Sequence, residues 1–145
     1  MFTRKIFAAI IVSFIAIPCL TLVESFYDSF SVEDGELILV LFFYSIYFIP
    51  IIFIYGIIIS LIAEKISRKV TQFKQLVSFG LHLLGGAGFI IPYSLFIEYN
   101  PFPDLTVLNV ITHPVTIFGA LFAILFFVID NILSRKNSKK QSIPI

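Results

Sequence analysis

Two histidines, His82 and His113, are the only ionisable side chains well inside the long apolar segments of this sequence. An ionisable group inside a membrane segment is a functional hypothesis by default, because burying charge in lipid is costly. Such a residue can relay a proton or contact a polar substrate. A neutral imidazole bonded to a hydroxyl or carbonyl is the simpler interpretation. A haem held by both histidines is disfavoured, because they are expected at different depths.

The segment around His113 carries polar and small residues at steps of three and four, like one face of a helix. Its members are Thr106, Asn109, Thr112, His113, Thr116, Gly119, Ala120 and Ala123. In lipid such a face packs against other helices, since small residues allow close approach and polar groups bond across. A transport pathway would use the same residue types. Its candidate lining residues are His82, Asn109, His113, Thr116 and Tyr55.

Two other segments show comparable faces. One has Ser78, His82, Gly85 and Gly86, and the other has Gly56, Ser60 and Glu64. Their spacing predicts packed helix interfaces, and the residue types alone do not separate packing from transport.

Enzyme signatures are missing, so we expect no catalytic, cofactor or metal site. Gly85, Gly86 and Gly88 lie in an apolar segment without the strand and lysine of a phosphate-binding loop. Cys19 is the single cysteine, which excludes an internal disulfide framework and a two-cysteine redox centre. Small multidrug antiporters place a carboxylate in their first span, and the corresponding stretch here has none.

The elements that must position these residues are four stretches without Asp, Glu, Lys or Arg. They cover residues 6–23, 37–63, 76–97 and 105–129. Each is long enough to cross a hydrocarbon core of roughly 30 Å, which needs about 20 helical residues. The chain has 59% hydrophobic and 13% charged residues. This composition and the four stretches predict an all-α, four-helix transmembrane bundle in a single membrane domain, residues 1–145. Each span holds one proline: Pro18, Pro50, Pro92 and Pro114.

The charges predict the orientation. All ten basic residues fall on one side of the predicted spans: Arg4, Lys5, Lys65, Arg68, Lys69, Lys74, Arg135, Lys136, Lys139 and Lys140. The positive-inside rule therefore places both termini in the cytoplasm, with a disordered cytoplasmic tail at 134–145. The stretch 6–23 also resembles a secretory signal, and cleavage after Ser25 would leave three spans.

Two acids lie on the basic side, each where a span ends. Glu64 is expected to pair with Arg68 one helical turn later, and Asp130 with a base of the central loop. The basic segments are expected to attract anionic lipid headgroups, and they carry no nucleic-acid signal.

Short motifs suggest a relationship. The second span reads Ile49-Pro50, then Tyr55-Gly56-x-x-x-Ser60-x-x-x-Glu64, and the last one closes with Phe126-Phe127-Val128-Ile129-Asp130. Together with the length and the four spans, this pattern resembles the small uncharacterised four-helix integral membrane proteins of bacilli and related Gram-positive bacteria. The resemblance implies a bacterial cell membrane, and it carries over no site residue.

Two functional classes follow. The first is a non-enzymatic accessory or interaction component that contacts the lipid bilayer and another membrane protein or itself. The alternative is a small oligomeric transporter or channel with a polar path along the fourth span.

Overall fold

The structure, a computed structural model, describes residues 2–27, 36–70, 72–96 and 106–141. Most residues in these ranges are helical, and no strand occurs among them. The elements in chain order are α1 (Phe2–Tyr27), α2 (Glu36–Ile51), a π-helical segment (Ile52–Gly56), α3 (Ile57–Ser67), α4 (Lys74–Ala87), α5 (Ile90–Phe96), α6 (Val107–Thr112) and α7 (Pro114–Gln141). The predicted all-α class is confirmed.

Four helices are long and apolar enough to cross a membrane, as predicted. They run over Phe2–Val23, Ile38–Ser67, Lys74–Leu95 and Pro114–Arg135. The fourth differs from the prediction at its start, because α6 is separated from α7 and precedes the candidate span. It also differs at its end: α7 continues to Gln141, so part of the tail predicted to be disordered is helical.

Three of the four prolines in the predicted spans lie at or near an interruption of their helix. Pro50 precedes the π-helical segment, Pro92 follows a turn that separates α4 from α5, and Pro114 begins α7. A proline has no N–H to donate to the carbonyl four residues earlier, so the helical hydrogen-bond ladder is broken there. Pro18 is the exception, since α1 runs through it without interruption.

The turn before Pro92 shows how the ladder adjusts. The N–H of Phe89 donates to the Gly86 carbonyl and that of Ile91 to the Gly88 carbonyl, both at 3.1 Å and three residues back. These bonds are tighter than the four-residue step of an α-helix. Pro92 has no N–H to donate to the Gly88 carbonyl, and the N–H of Ile91 donates to that carbonyl instead.

The described chain forms two compact units, Met1–Ile57 with Ile129–Ile145, and Ile58–Val128. In the first unit, α1 packs against α2 and the π-helical segment. The buried face of α1 follows the helical period: Lys5, Ala8, Ala9, Val12, Ser13, Ala16, Ile17 and Thr21. Ser13 and Thr21 donate their hydroxyls to carbonyls four residues earlier, Ala9 and Ile17, each at 2.9 Å. Because these hydroxyls donate to carbonyls of α1 itself, they can lie in a packed interface, and α1 packs there through small side chains.

Candidate functional site

A close helix contact of the second unit joins Gly86 of α4 to Gly119 of α7. A Cβ atom built on Gly86 would overlap the Gly119 carbonyl oxygen, and one on Gly119 would overlap the Gly86 carbonyl oxygen. The same Gly86 Cβ would lie 2.5 Å from the Cβ of Ala123. Only residues without a side chain permit such an approach, so the small residues of both predicted faces are used for packing.

His82 lies on α4, one turn before Gly86, and it is 3% exposed. Its Nδ1 lies 2.7 Å from the Ser78 carbonyl oxygen. Because a carbonyl only accepts, this nitrogen carries the proton and donates. The ring lies against Phe126 at 6.5 Å between centroids and against Phe127 at 5.3 Å. The imidazole is therefore held by its own helix and by aromatic rings.

The fourth predicted span is interrupted at His113, whose backbone is extended with φ −60° and ψ 131°. Pro114 explains this conformation, since the ring of a proline disfavours helical angles in the residue before it. Pro114 also cannot donate to the Val110 carbonyl. The hydroxyl of Thr116 donates to that carbonyl instead, at 2.7 Å. Thr116, 8% exposed, thus supplies the hydrogen bond that the proline removes.

His113 caps the amino end of α7. Its Nδ1 accepts the N–H of Val115 at 3.3 Å, so the proton of the neutral ring lies on Nε2. An extended residue whose side chain accepts an N–H of the first turn is the geometry of an N-cap. Its ring lies 6.3 Å from that of Tyr93 on α5. Tyr93 lies near the end of the candidate span Lys74–Leu95, and His113 directly precedes Pro114–Arg135.

The predicted pathway residues come from three predicted spans, and those of the fourth span lie on two helices. Asn109 lies on α6 and is exposed, whereas Thr116 belongs to α7. Tyr55 lies in the π-helical segment of the first unit and is half-buried. The face was predicted for an unbroken helix, and the break at His113 separates Thr106, Asn109 and Thr112 from the rest. His113, predicted to lie well inside the fourth span, directly precedes the continuous helix Pro114–Arg135.

His82 packs against α7 near Phe126, and His113 directly precedes the first residue of α7, so the two histidines lie at different levels along its axis. Phe126, which contacts His82, lies about 18 Å along the helix axis from Pro114, at 1.5 Å per residue. Gly119 lies between these two levels and touches Gly86 through the backbone. The α4–α7 interface is therefore filled by main chain between the two histidines.

An ion cluster in the first unit was not predicted. Arg4 Nε donates to Asp130 Oδ1 at 2.6 Å and Nη2 to Oδ2 at 3.1 Å, while Nη1 donates to Ser134 Oγ at 2.8 Å. Lys5 Nζ lies 3.3 Å from Asp130 Oδ2. Asp130 was expected to meet a base of the central loop, and it meets the first turn of α1. Both residues flank predicted spans on the basic side, since Arg4 precedes the first span and Asp130 follows the fourth.

The predicted pair of Glu64 and Arg68 is confirmed, with Arg68 Nη2 2.8 Å from Glu64 Oε1. Within the described ranges, no group of three or more His, Cys, Asp or Glu side chains is placed to hold a metal ion.

The fold and the contacts define a class: a helical protein whose described residues form four candidate membrane-spanning helices, with small residues at close contacts and with helix interruptions at or near three prolines. No family model, no curated protein and no solved structure matches this chain. The resemblance to the four-helix proteins of bacilli accordingly stays a prediction.

Proposed function

We propose that this chain is a non-enzymatic, multi-pass protein of the cell membrane that works as an accessory component by contacting another membrane protein or a second copy of itself. One observation carries the proposal. Three of the five side chains that could line a path are bonded to nearby main chain: His82 to Ser78, His113 to Val115, and Thr116 to Val110. Side chains that make such bonds stabilise the helices and the points at which a helix is interrupted.

The glycine contact supports the same conclusion. A transport path between the levels of His113 and His82 needs room for water or substrate. Along the α4–α7 interface, Gly86 and Gly119 leave no such room, because even a single added carbon atom overlaps a carbonyl oxygen. Close backbone packing is what helix association in lipid uses when hydrophobicity offers no driving force.

The surface of α2 supports a role in contact with a partner. Residues 38–43 are all exposed, which is more than one turn of helix. Phe42 is 59% and Tyr47 63% exposed. Apolar surface that is exposed over more than one helical turn can receive a helix of a partner as well as lipid.

The orientation belongs to the proposal. Arg4 and Asp130 are in contact, which supports both ends of the chain lying on one side of the membrane. The basic residues gathered at these ends support the cytoplasmic side. In a Cys19→Ala background, a cysteine at Ser31 should react with an impermeant thiol reagent in intact cells. A cysteine at Ser138 should react only after permeabilisation, and reversed reactivity would refute the orientation.

The interaction role is tested by photo-crosslinking in the membranes of the organism that produces the protein. A photoreactive phenylalanine replaces Phe42 or Tyr47 on α2, and Phe14 on α1, 78% exposed, serves as the comparison. We expect a discrete adduct with one membrane protein, or with a second copy, from α2. Adducts with lipid alone from all three positions would contradict the proposal.

One observation favours the transporter alternative. The rings of Tyr93 and His113, each near a helix break, have centroids 6.3 Å apart. Broken helices line the substrate sites of many transporters. Proteoliposomes that hold wild-type protein and a pH-sensitive dye or a potassium gradient test it. A flux that His113→Leu abolishes at an unchanged protein level would favour the transporter, and no flux above empty liposomes is expected.

A further inference from the structure

Phe73 directly precedes α4 and is the one non-glycine residue with a positive φ in the part of the chain that the structure describes. Its φ of 59° and ψ of 24° lie in the left-handed region, which a bulky aromatic residue rarely adopts. Such a conformation costs free energy and persists only where the surroundings enforce it. The Phe73 carbonyl accepts the N–H of Val77 at 3.0 Å, which bonds it to the first turn of α4. Any residue could supply this carbonyl, so the bond does not explain the aromatic side chain.

The side chain of Phe73 begins an open face of α4. Phe73 is 74% exposed, and Leu76, Gly80 and Leu84 follow it at steps of three and four, which places them on one side of the helix. Leu76 and Leu84 are exposed, and a Cβ on Gly80 would meet nothing within 4 Å. These three residues belong to the candidate span Lys74–Leu95. In the isolated protein this face of α4 therefore meets lipid, and Phe73 lies at its end.

The connection that holds Phe73 lies where two candidate spans end. Ile38–Ser67 ends before it, and Lys74–Leu95 begins after it. In a bilayer this level is the boundary between the hydrocarbon core and the headgroups. Lys69 and Lys74 lie on either side of Phe73 in the sequence, and both are exposed. Lysines at this level are attracted to headgroup phosphates, and an aromatic ring beside them can be buried where the acyl chains begin.

We infer that the connection between α3 and α4 is a lipid-binding anchor. The Phe73 ring inserts into the boundary between headgroups and acyl chains, and Lys69 and Lys74 contact the phosphates. Burial of the ring compensates the cost of the left-handed backbone. The anchor fixes the level at which α4 begins in the membrane, because the Phe73 carbonyl bonds to the first turn of α4. The inference does not depend on the proposed interaction role.

The test is tryptophan fluorescence, since the chain contains no tryptophan of its own. Phe73→Trp places one indole at the anchor, and Leu84→Trp is the matched variant on the same face, inside the span. Each purified variant is reconstituted in phospholipid nanodiscs with lipid brominated at a shallow or a deep acyl position. We expect the shallow bromolipid to quench Phe73→Trp at least about twofold more than the deep one, and Leu84→Trp should show the reverse order. Acrylamide in the water should quench Phe73→Trp at least about twofold less than free tryptophanamide.

Three results would overturn the inference. Acrylamide quenching of Phe73→Trp as strong as that of tryptophanamide would place the ring in water. Quenching by neither the bromolipids nor acrylamide would show that protein, such as a second copy, covers the ring. The same order of bromolipid quenching as for Leu84→Trp would place the ring inside the span.

Two further variants keep the inference open to refutation. Lys69→Gln with Lys74→Gln in the Phe73→Trp protein should increase quenching by acrylamide, and an unchanged value would refute the lysine contacts. If Phe73→Trp does not accumulate, Phe73→Cys in a Cys19→Ala background takes its place. Its thiol should react with a water-soluble reagent more slowly in nanodiscs than after unfolding, and equal rates would refute insertion of this position.

Discussion

The hydroxyl of Thr116 donates to the carbonyl of Val110 at 2.7 Å, across the point where Pro114 interrupts the helix. In a continuous helix, a residue at position 114 with an N–H would donate it to the Val110 carbonyl, and Pro114 has none. A break in a membrane helix leaves such a carbonyl unsatisfied unless another donor reaches it, and in lipid that is costly. Thr116 is therefore part of the structure of the break.

Replacement of Thr116 by Val should destabilise the protein by about 1–3 kcal/mol, the cost of a buried carbonyl without its donor. Thermal unfolding in detergent measures the effect. Thr112→Val is the matched control, because the Thr112 hydroxyl is exposed and bonds the Leu108 carbonyl within its own helix. In a Pro114→Ala background, which restores an N–H at that position, Thr116→Val should cost less. Equal costs in the two backgrounds would count against this role of Thr116.

Gly86→Ala should destabilise the protein by about 1–3 kcal/mol, because the added carbon overlaps the main chain of Gly119. Gly80→Ala is the control on the same helix, since a Cβ there meets nothing within 4 Å. That change should be neutral or stabilising, because alanine favours the helix. Both variants are compared by unfolding in detergent, and similar stabilities would contradict the close contact.

His113→Leu should lower stability by about 1 kcal/mol, since leucine cannot accept the Val115 N–H. His113→Asn should retain most of the stability, because asparagine is a good N-cap. The two variants are compared by their melting temperatures and by their levels in the membrane. A stable Leu variant would argue that the imidazole has a purpose other than capping.

Asp130→Ala should be strongly destabilising, by about 3–5 kcal/mol, because it leaves Lys5 buried without its carboxylate. Glu64→Ala breaks the pair with Arg68, which is 57% exposed, and should cost less than about 1 kcal/mol. The contrast is measured as the yield of folded protein and as the unfolding temperature. Equal effects of the two substitutions would show that the cluster contributes no more than a surface pair.

The four spans were predictable because apolar length is a local property of the sequence. The Glu64–Arg68 pair was predictable for the same reason, since its residues are one helical turn apart. The break at His113 was not predicted, although Pro114 was visible. A proline can bend, shift or end a helix, and here the outcome depends on whether a donor such as Thr116 reaches the freed carbonyl. Pro18, inside an unbroken α1, shows the other result.

The ion cluster was beyond local reasoning, because Arg4 and Asp130 are far apart in sequence and meet only in the fold. The positive-inside rule predicts that they lie on one side of the membrane, and it does not choose between Arg4 and the bases of the central loop as the partner of Asp130. The polar face of the fourth span was predicted from a regular helical period. That period is lost at the break, so Asn109 and Thr116 belong to different helices.

The most direct test of this account is the water accessibility of the α4–α7 interface. Single cysteines replace Ala123, beside Gly86, and Val107 on α6, 76% exposed, in a Cys19→Ala protein reconstituted in liposomes. A small water-soluble thiol reagent should label the cysteine at 107 rapidly and the one at 123 only after unfolding. Labelling of position 123 as fast as position 107 in the folded protein would reveal an aqueous path and contradict the filled interface.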